Sequence, residues 1–142
     1  MSFGYKRFLR AAGPLLLVAL AGCGDAGIVP VTGTLTYKGQ PVPNAYVDFI
    51  PENGRPSWGE TDEQGRFKLN YDRTHDGAVV GKHKVSVRRK PATAAEREAE
   101  MLGKKLPTSQ EMATFFDKYS SEKSTVEVTI DRNTRDLKLD WD

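Results

Sequence analysis

The fold is decided by residues 31–69, which read VTGTLTYKGQPVPNAYVDFIPENGRPSWGETDEQGRFKL. At the start of this stretch Val31, Gly33, Leu35 and Tyr37 fall in one phase, and threonines fill the other. Strict alternation with a period of two is typical of a strand with one face in a core and one face in water. The stretch therefore predicts antiparallel β-structure rather than helix.

The same alternation recurs along the chain, and turn residues separate the repeats. Gly39-Gln40 and residues 62–65 have turn composition, and Pro41 and Pro43 disfavour regular pairing after the first turn. Seven short strands at such spacing predict an all-β fold, a seven-stranded antiparallel β-sandwich. We place the strands at residues 31–38, 45–50, 58–61, 66–71, 82–88, 125–130 and 136–141, with a loop at 72–80.

Residues 92–119 lose the alternation and predict a short helical insertion in the sandwich. Capping boxes begin at Thr93 and Thr108, each with a glutamate three residues later, and Gly103 predicts the end of the first helix. The second helix carries a narrow apolar stripe. Such stripes mostly pack on the core of their own domain, and docking into a partner's groove is the alternative. The stripe consists of Met112, Phe115, Phe116 and Tyr119.

The N-terminus has the pattern of a secretory signal. Residues 1–10 carry three positive charges and no acid, an apolar run follows, and Ala21 and Gly22 precede Cys23. The apolar run is about half of the roughly 20 residues that a membrane-spanning helix needs. The predicted parts are a cleaved signal-peptide helix at 1–22, a short tether at 23–30 and a domain at 31–142.

Leu20-Ala21-Gly22-Cys23 resembles the lipobox of bacterial lipoproteins. The resemblance implies cleavage between Gly22 and Cys23, a diacylglyceryl group on the Cys23 thiol and, usually, acylation of the new amine. Two or three acyl chains anchor a protein stably where one does not. We therefore expect an exported protein that is lipid-anchored to a membrane of the bacterial cell envelope, on its periplasmic or surface face. An ordinary cleaved signal with an incidental cysteine is the alternative.

Cleavage would change the charge balance of the chain. Residues 1–22 contain three of the 21 basic residues and none of the 19 acidic residues, so the mature chain has 18 − 19 = −1 net charge. This balance does not support binding to nucleic acid. Cys23 is the only cysteine, so the domain has no disulfide and relies on its apolar core and backbone hydrogen bonds.

Most of residues 29–140 resembles the carboxypeptidase regulatory-like, or transthyretin-like, domains found in many small bacterial lipoproteins. The resemblance implies a prealbumin-like sandwich and no reaction, because these domains are mostly non-catalytic modules. It also implies that residues 91–106 are an insertion relative to shorter members. The matching segments are residues 31–33, 37–45, 61–67 and 81–85, with a further likeness at 117–126.

A small hydrolase or a metal-dependent enzyme on the same sandwich is the alternative from another class. Transthyretin-like enzymes that hydrolyse 5-hydroxyisourate end in Tyr-Arg-Gly-Ser, whereas this chain ends in LKLDWD. The two histidines, His75 and His83, have no recognisable ligand spacing, even with Asp72 or Asp76 as a third ligand. We therefore predict no catalytic residue, no metal site and no cofactor, and we place His83 at the margin of the core.

The remaining candidates form a predicted interaction surface. Lys82, Lys84 and Arg88 share the solvent face of one strand, where they suit anionic lipid or an acidic envelope polymer. Alternatively, these charges only prevent edge pairing. Trp58, near Tyr46, suits stacking on a sugar, so an accessory carbohydrate-binding module is a further alternative.

We predict a non-catalytic interaction or scaffolding module. Its expected partners are membrane lipid, through Cys23, and another envelope protein or polymer. The candidate surface residues are Trp58, Lys82, Lys84, Arg88, Met112, Phe115 and Phe116.

Overall fold

Two four-stranded sheets and one two-stranded sheet account for the β-structure of the domain. The computed structural model describes residues 27–132 and 134–142. The first four-stranded sheet is built around β2 (Thr32–Tyr37), with β10 (Leu137–Trp141) on one side and β3 (Gln40–Pro41) and β6 (Arg66–Lys68) on the other. The second has the order β5 (Ser57–Glu60), β4 (Ala45–Pro51), β8 (Gly81–Arg89) and β9 (Glu127–Ile130). The third pairs β1 (Ile28–Val29) with β7 (Ala78–Val79).

The two four-stranded sheets share one apolar core. Leu35 and Phe67 contribute from the first sheet, and Val47, Phe49 and Val85 from the second, all buried. The rings of Phe49 and Phe67 meet between the sheets, with centroids 6.1 Å apart. Each of these side chains contributes about 1.5–3 kcal/mol when it is fully buried. The all-β expectation is thus confirmed for the described residues, which contain two short helices besides the strands.

The seven predicted strands correspond to β2, β4, β5, β6, β8, β9 and β10. The structure adds β1, β3 and β7, each of two residues, so that part of the predicted 72–80 loop is a strand. The residues after the first turn do pair with β2, which corrects the expectation that the prolines prevent it. Pro41 pairs with Thr36 at the end of the sheet, where a short strand tolerates the missing donor.

The last strand runs parallel to β2, which contradicts the expectation of a purely antiparallel sandwich. Antiparallel neighbours arise where the chain turns back on itself within one sheet. Here β9 lies in the second sheet and β10 in the first, so the chain crosses between sheets and no hairpin fixes its direction.

Two turns depend on backbone conformations that glycine allows. The first hairpin turns at Lys38-Gly39, one residue earlier than predicted, and both residues have positive φ, 50° and 76°. Gly65 has φ of 72°, and a Cβ there would collide with the carbonyl oxygen of Leu35. The turn ending at Gly65 joins β5 and β6, which lie in different sheets rather than in one hairpin. The Asp62 side chain caps this turn and accepts 2.9 Å hydrogen bonds from the backbone of Gln64 and Arg66.

Both helices lie in the predicted insertion. Helix α1 (Ala94–Met101) has Thr93 as its N-cap and is followed by Gly103 with φ of 69°, as expected. Helix α2 (Gln110–Lys118) is capped by Ser109, whose hydroxyl accepts from the backbone of Met112, so the predicted cap at Thr108 is wrong by one residue.

The predicted signal peptide, cleavage site and lipidated cysteine lie outside the described residues. In the part of the chain that is described, neither helix has the length and apolarity needed to cross a membrane.

Candidate interaction surface

The basic strand β8 is central in its sheet and its charges are compensated. It lies between β4 and β9, so its lysines do not protect a free edge, and that explanation of the basic run is wrong. Each cation instead has an oxygen partner within the domain. Lys82 pairs with Glu127 at 3.3 Å, Lys84 donates to the Ser121 carbonyl at 2.7 Å, Arg88 pairs with Asp48 at 3.2 Å, Arg89 pairs with Glu96 at 3.0 Å, and Lys90 pairs with Glu60.

Arg88 is held in place by two different contacts. Its Nε donates to Asp48 Oδ2 at 3.2 Å, and its guanidinium carbon lies 4.1 Å from the centroid of the Tyr46 ring. Stacking and ion pairing together fix the plane of a guanidinium. The two terminal nitrogens make no hydrogen bond to any described residue, and 55% of the side chain remains exposed. Arg88 therefore presents a fixed pair of free donors to solvent.

Trp58 extends this arrangement across the sheet. The β4–β5 register places Trp58 opposite Asp48, and the β4–β8 register places Tyr46 opposite Arg88. The Trp58 and Tyr46 rings meet edge to face at 6.4 Å and 73°. Trp58 is 41% exposed. Three strands thus carry one continuous row of an exposed indole, a phenol and a guanidinium.

This row forms the floor of a groove. Three adjoining cavities, of about 340, 270 and 450 Å³, all include Arg88 in their lining. The first lies over the strands, the second runs along β8 to α2, and the third lies between β8, α2 and the segment that joins the helices. We call this the Arg88 groove and define it by Tyr46, Asp48, Trp58 and Arg88 on the floor and Lys104, Lys105, Leu106 and Phe116 on the wall.

One ion pair attaches α1 to the sheet beside the groove. Arg89 donates to both carboxylate oxygens of Glu96, at 3.0 and 3.2 Å, and the Ala92 backbone N–H donates to the same carboxylate at 2.7 Å. The Arg89 guanidinium, followed by the Ala92 N–H, holds the pKa of Glu96 below its usual value. No residue of α1 is buried, so we expect this pair to position the wall segment that follows it.

The apolar stripe of α2 divides between core and groove. Phe115 is fully buried, with its ring centroid 4.7 Å from that of Tyr37 and 6.0 Å from that of Trp141. Phe115 therefore has no surface to offer a partner, and the stripe packs on the sandwich as expected. Met112 and Phe116 are half-buried against the same core, and Phe116 also lines the groove.

The two histidines lie in different environments. His75 is exposed in a loop and bonds to Asp72 through Nδ1 at 3.0 Å. Donation from the Thr74 backbone to that carboxylate is the main cause that holds the pKa of Asp72 well below its usual range. His83 is fully buried rather than marginal; its Nε2 lies 2.8 Å from the Val79 carbonyl oxygen and its Nδ1 has no partner among the described residues. Within those residues, no three His, Cys, Asp or Glu side chains are grouped as a metal site would require.

The structure thus joins some sequence-predicted residues and separates others. Trp58, Arg88 and Phe116 belong to the groove, whereas Lys82 and Lys84 lie toward the start of β8 and line none of the three cavities. Sequence reasoning missed Asp48 as the partner of Arg88, and it missed the wall lysines. The only signal for the wall lysines in the sequence is that Lys104 and Lys105 directly follow Gly103, the predicted end of the first helix.

Comparisons of the chain with protein-family models, with curated proteins and with solved structures give no match.

Proposed function

We propose that this chain is a lipid-anchored, non-catalytic module of the bacterial cell envelope that holds a partner through the Arg88 groove. The lipobox-like Leu20-Ala21-Gly22-Cys23 supports the anchor. The resemblance of residues 29–140 to carboxypeptidase regulatory-like domains supports a prealbumin-like type for the sandwich, with α1 and α2 as an insertion between β8 and β9.

The position of the tether is the observation that carries the proposal. The carbonyl of Gly27 accepts a 3.1 Å hydrogen bond from Val80, one residue before β8 begins. Three residues lie between Cys23 and Gly27, and the four Cα–Cα steps that join them reach at most about 14 Å. A lipid on Cys23 would therefore keep the start of β8 close to the membrane surface.

The groove lies toward the other end of the same strand. Six residues lie between Gly81 and Arg88, and the seven steps that join them correspond to about 23 Å along β8. A domain tethered at the start of β8 would hold the groove away from the lipid. This geometry favours an envelope protein or polymer over lipid head groups as the partner of Arg88.

Site-specific photo-cross-linking in cells tests the proposal. A photoreactive residue at position 104, on the groove wall, should capture a discrete partner, and one at Lys138, on the exposed side of β10, serves as the matched control. Cys23→Ser should abolish labelling with palmitate, release the protein from the membrane and reduce the capture at position 104. Retention of Cys23→Ser at the membrane with normal processing would refute the anchor. Equal capture from positions 104 and 138 would refute the groove as the contact surface.

Glycan binding is a second candidate function because Trp58 is exposed beside polar groups. The indole is the largest exposed aromatic surface among the described residues. However, the Tyr46 ring stands at 73° to it, and the two rings do not form one flat platform. The donors, carboxylates and apolar side chains that line the groove fit a protein segment better.

A further inference from the structure

The charge of the groove is uneven, and its excess is positive where the helices meet the sheet. The 450 Å³ cavity there is lined by four basic residues and two acidic residues, and Arg88 and Arg89 are already paired with Asp48 and Glu96 outside it. Asp117 is paired with Lys123 at 2.6 Å, whereas Lys104 and Lys105 have no ion-pair partner within the described residues. The basic residues are Arg88, Arg89, Lys104 and Lys105, and the acidic ones are Glu100 and Asp117.

The free donors of Arg88 define what this positive end can bind. Its terminal nitrogens form a planar fork, which matches the two oxygens of a carboxylate. Because Nε is bound to Asp48 and the plane is stacked on Tyr46, the fork needs no reorientation before it binds. A fixed donor pair loses less conformational entropy on binding than a mobile one.

Apolar surface adjoins the donors. Leu106, Ala113 and Phe116 line the same 450 Å³ cavity, and Leu106 and Phe116 are only partly buried. The volume is suited to one or two apolar side chains. At the other end of the groove, Trp58 offers an aromatic face. Trp, Tyr and Arg are the residue types that dominate binding energy in protein interfaces.

We propose that the Arg88 groove binds an extended acidic segment of a partner protein. One carboxylate of the segment bonds to the Arg88 fork, Lys104 and Lys105 attract its neighbours, and an apolar side chain enters the cavity beside Phe116. From β5 to β8 the floor spans two strand spacings, about 10 Å, which is the length of about three extended residues, and the helical wall lengthens the site further. This inference rests on the proposed scaffolding role and names the chemistry of the partner.

An anionic glycan carries carboxylates like the proposed acidic segment, but it has no apolar side chain to enter the cavity beside Phe116. A sugar acid presents hydroxyl groups on every side, and those that lie against Leu106, Ala113 and Phe116 would lose water without gaining a partner. This apolar part of the lining therefore favours a peptide.

The test uses the mature protein in lipid nanodiscs and three fluorescent probes. The probes are the acidic heptapeptide ELDFELD, the basic heptapeptide KLKFKLK and an oligogalacturonate. Of the three probes, we expect only ELDFELD to bind saturably. Comparable binding of KLKFKLK, or binding of the oligogalacturonate without the acidic peptide, would overturn the proposal, as would no saturable binding of ELDFELD.

Substitutions then locate the site. Arg88→Gln should weaken ELDFELD binding by about tenfold or more, because it removes a charge-assisted bidentate contact. Arg88→Lys should restore only part of the affinity, since an ammonium lacks the fork. Arg97→Gln removes the same charge from α1, outside the groove, and should leave the affinity unchanged. Equal loss from Arg88→Gln and Arg97→Gln would show a general charge effect and refute the site.

Failure here is distinguishable from failure of the proposed function. The mass of the purified protein reports separately whether Cys23 carries lipid. Cross-linking at position 104 reports separately whether a partner is held in the cell. If a partner is captured and no acidic peptide displaces it, the scaffolding role is supported and the binding of an acidic segment is refuted.

Discussion

The helices α1 and α2 are neighbours in one insertion and have nearly the same length, yet they are attached to the domain in opposite ways. Helix α1 has eight residues and none is buried; helix α2 has nine and buries Phe115 completely. Both have an N-cap side chain that accepts from the third residue of the helix. What separates them is therefore not capping.

The difference lies in what each helix turns toward the sandwich. The α1 sequence, AAEREAEM, offers alanines and charges, and its attachment is the Arg89–Glu96 pair. The α2 sequence, QEMATFFDK, offers aromatic rings that fill the end of the core beside Tyr37 and Trp141. A capped helix can therefore form by local signals and still add nothing to the core. We therefore expect substitution of Phe115 to change the free energy of unfolding, and substitution of Glu96 to change the position of the groove wall.

The largest effect is expected from Phe115→Ala. Truncating a fully buried phenylalanine should lower the free energy of unfolding by about 3–5 kcal/mol, because it removes apolar contact and leaves a cavity. Met101→Ala, at the exposed end of α1 (88% exposed), should change it by less than about 0.5 kcal/mol. Urea denaturation of both variants measures the difference. Similar losses from the two would contradict the view that only α2 is part of the core.

A smaller effect separates the two N-caps. Ser109→Ala should lower the global free energy of unfolding by about 1 kcal/mol, because α2 unfolds together with the core. Thr93→Ala removes the equivalent hydrogen bond from α1, and we expect faster amide exchange in α1 with no change in the urea midpoint. A global loss from Thr93→Ala would mean that α1 is coupled to the core after all.

The sequence anticipated the longer strands and could not anticipate the short ones. Alternation over six or more residues, as in β2 and β8, sets the buried face without any knowledge of the partner strand. Strands of two residues, such as β1 and β7, carry no period. The direction of β10 was also beyond reach, because the same alternation serves parallel and antiparallel pairing.

The candidate surface was predicted as separate residues rather than as a site. Trp58 and Arg88 stand out in the sequence by type and charge, but only the registers of β5, β4 and β8 bring them together with Tyr46. The wall lysines depend on how the α1–α2 segment folds back over β8. The Arg89–Glu96 pair, which connects α1 to β8, is a contact that no local pattern encodes.

The smallest effect concerns acid and the attachment of α1. Because the folded-state pKa of Glu96 is below its ordinary value of 4.5, the pair stabilises the attachment above that pH, and the contribution is lost as pH falls through the lowered value. We expect amide signals of Ala94–Met101 to shift in NMR spectra over this acidic range, while signals of β4 and β8 stay constant. In the Glu96→Gln variant, the amide signals of Ala94–Met101 should already have their acid-shifted positions at neutral pH. If α1 signals in this variant match those of the unsubstituted protein, the ion pair does not position the helix.

The parallel pairing of β10 with β2 has a consequence for when this domain can fold. Thr36 and Asp140, neighbours across that pair, are 104 positions apart in the chain. Closing so long a loop costs conformational entropy before the contact between the two strands can form. Folds dominated by such non-local contacts therefore form slowly. The first sheet lacks one strand until Leu137–Trp141 have been synthesised and pair with β2. This protein is proposed to pass through a membrane as an extended chain. Late pairing of β10 would keep the chain unfolded for longer and so favour its export.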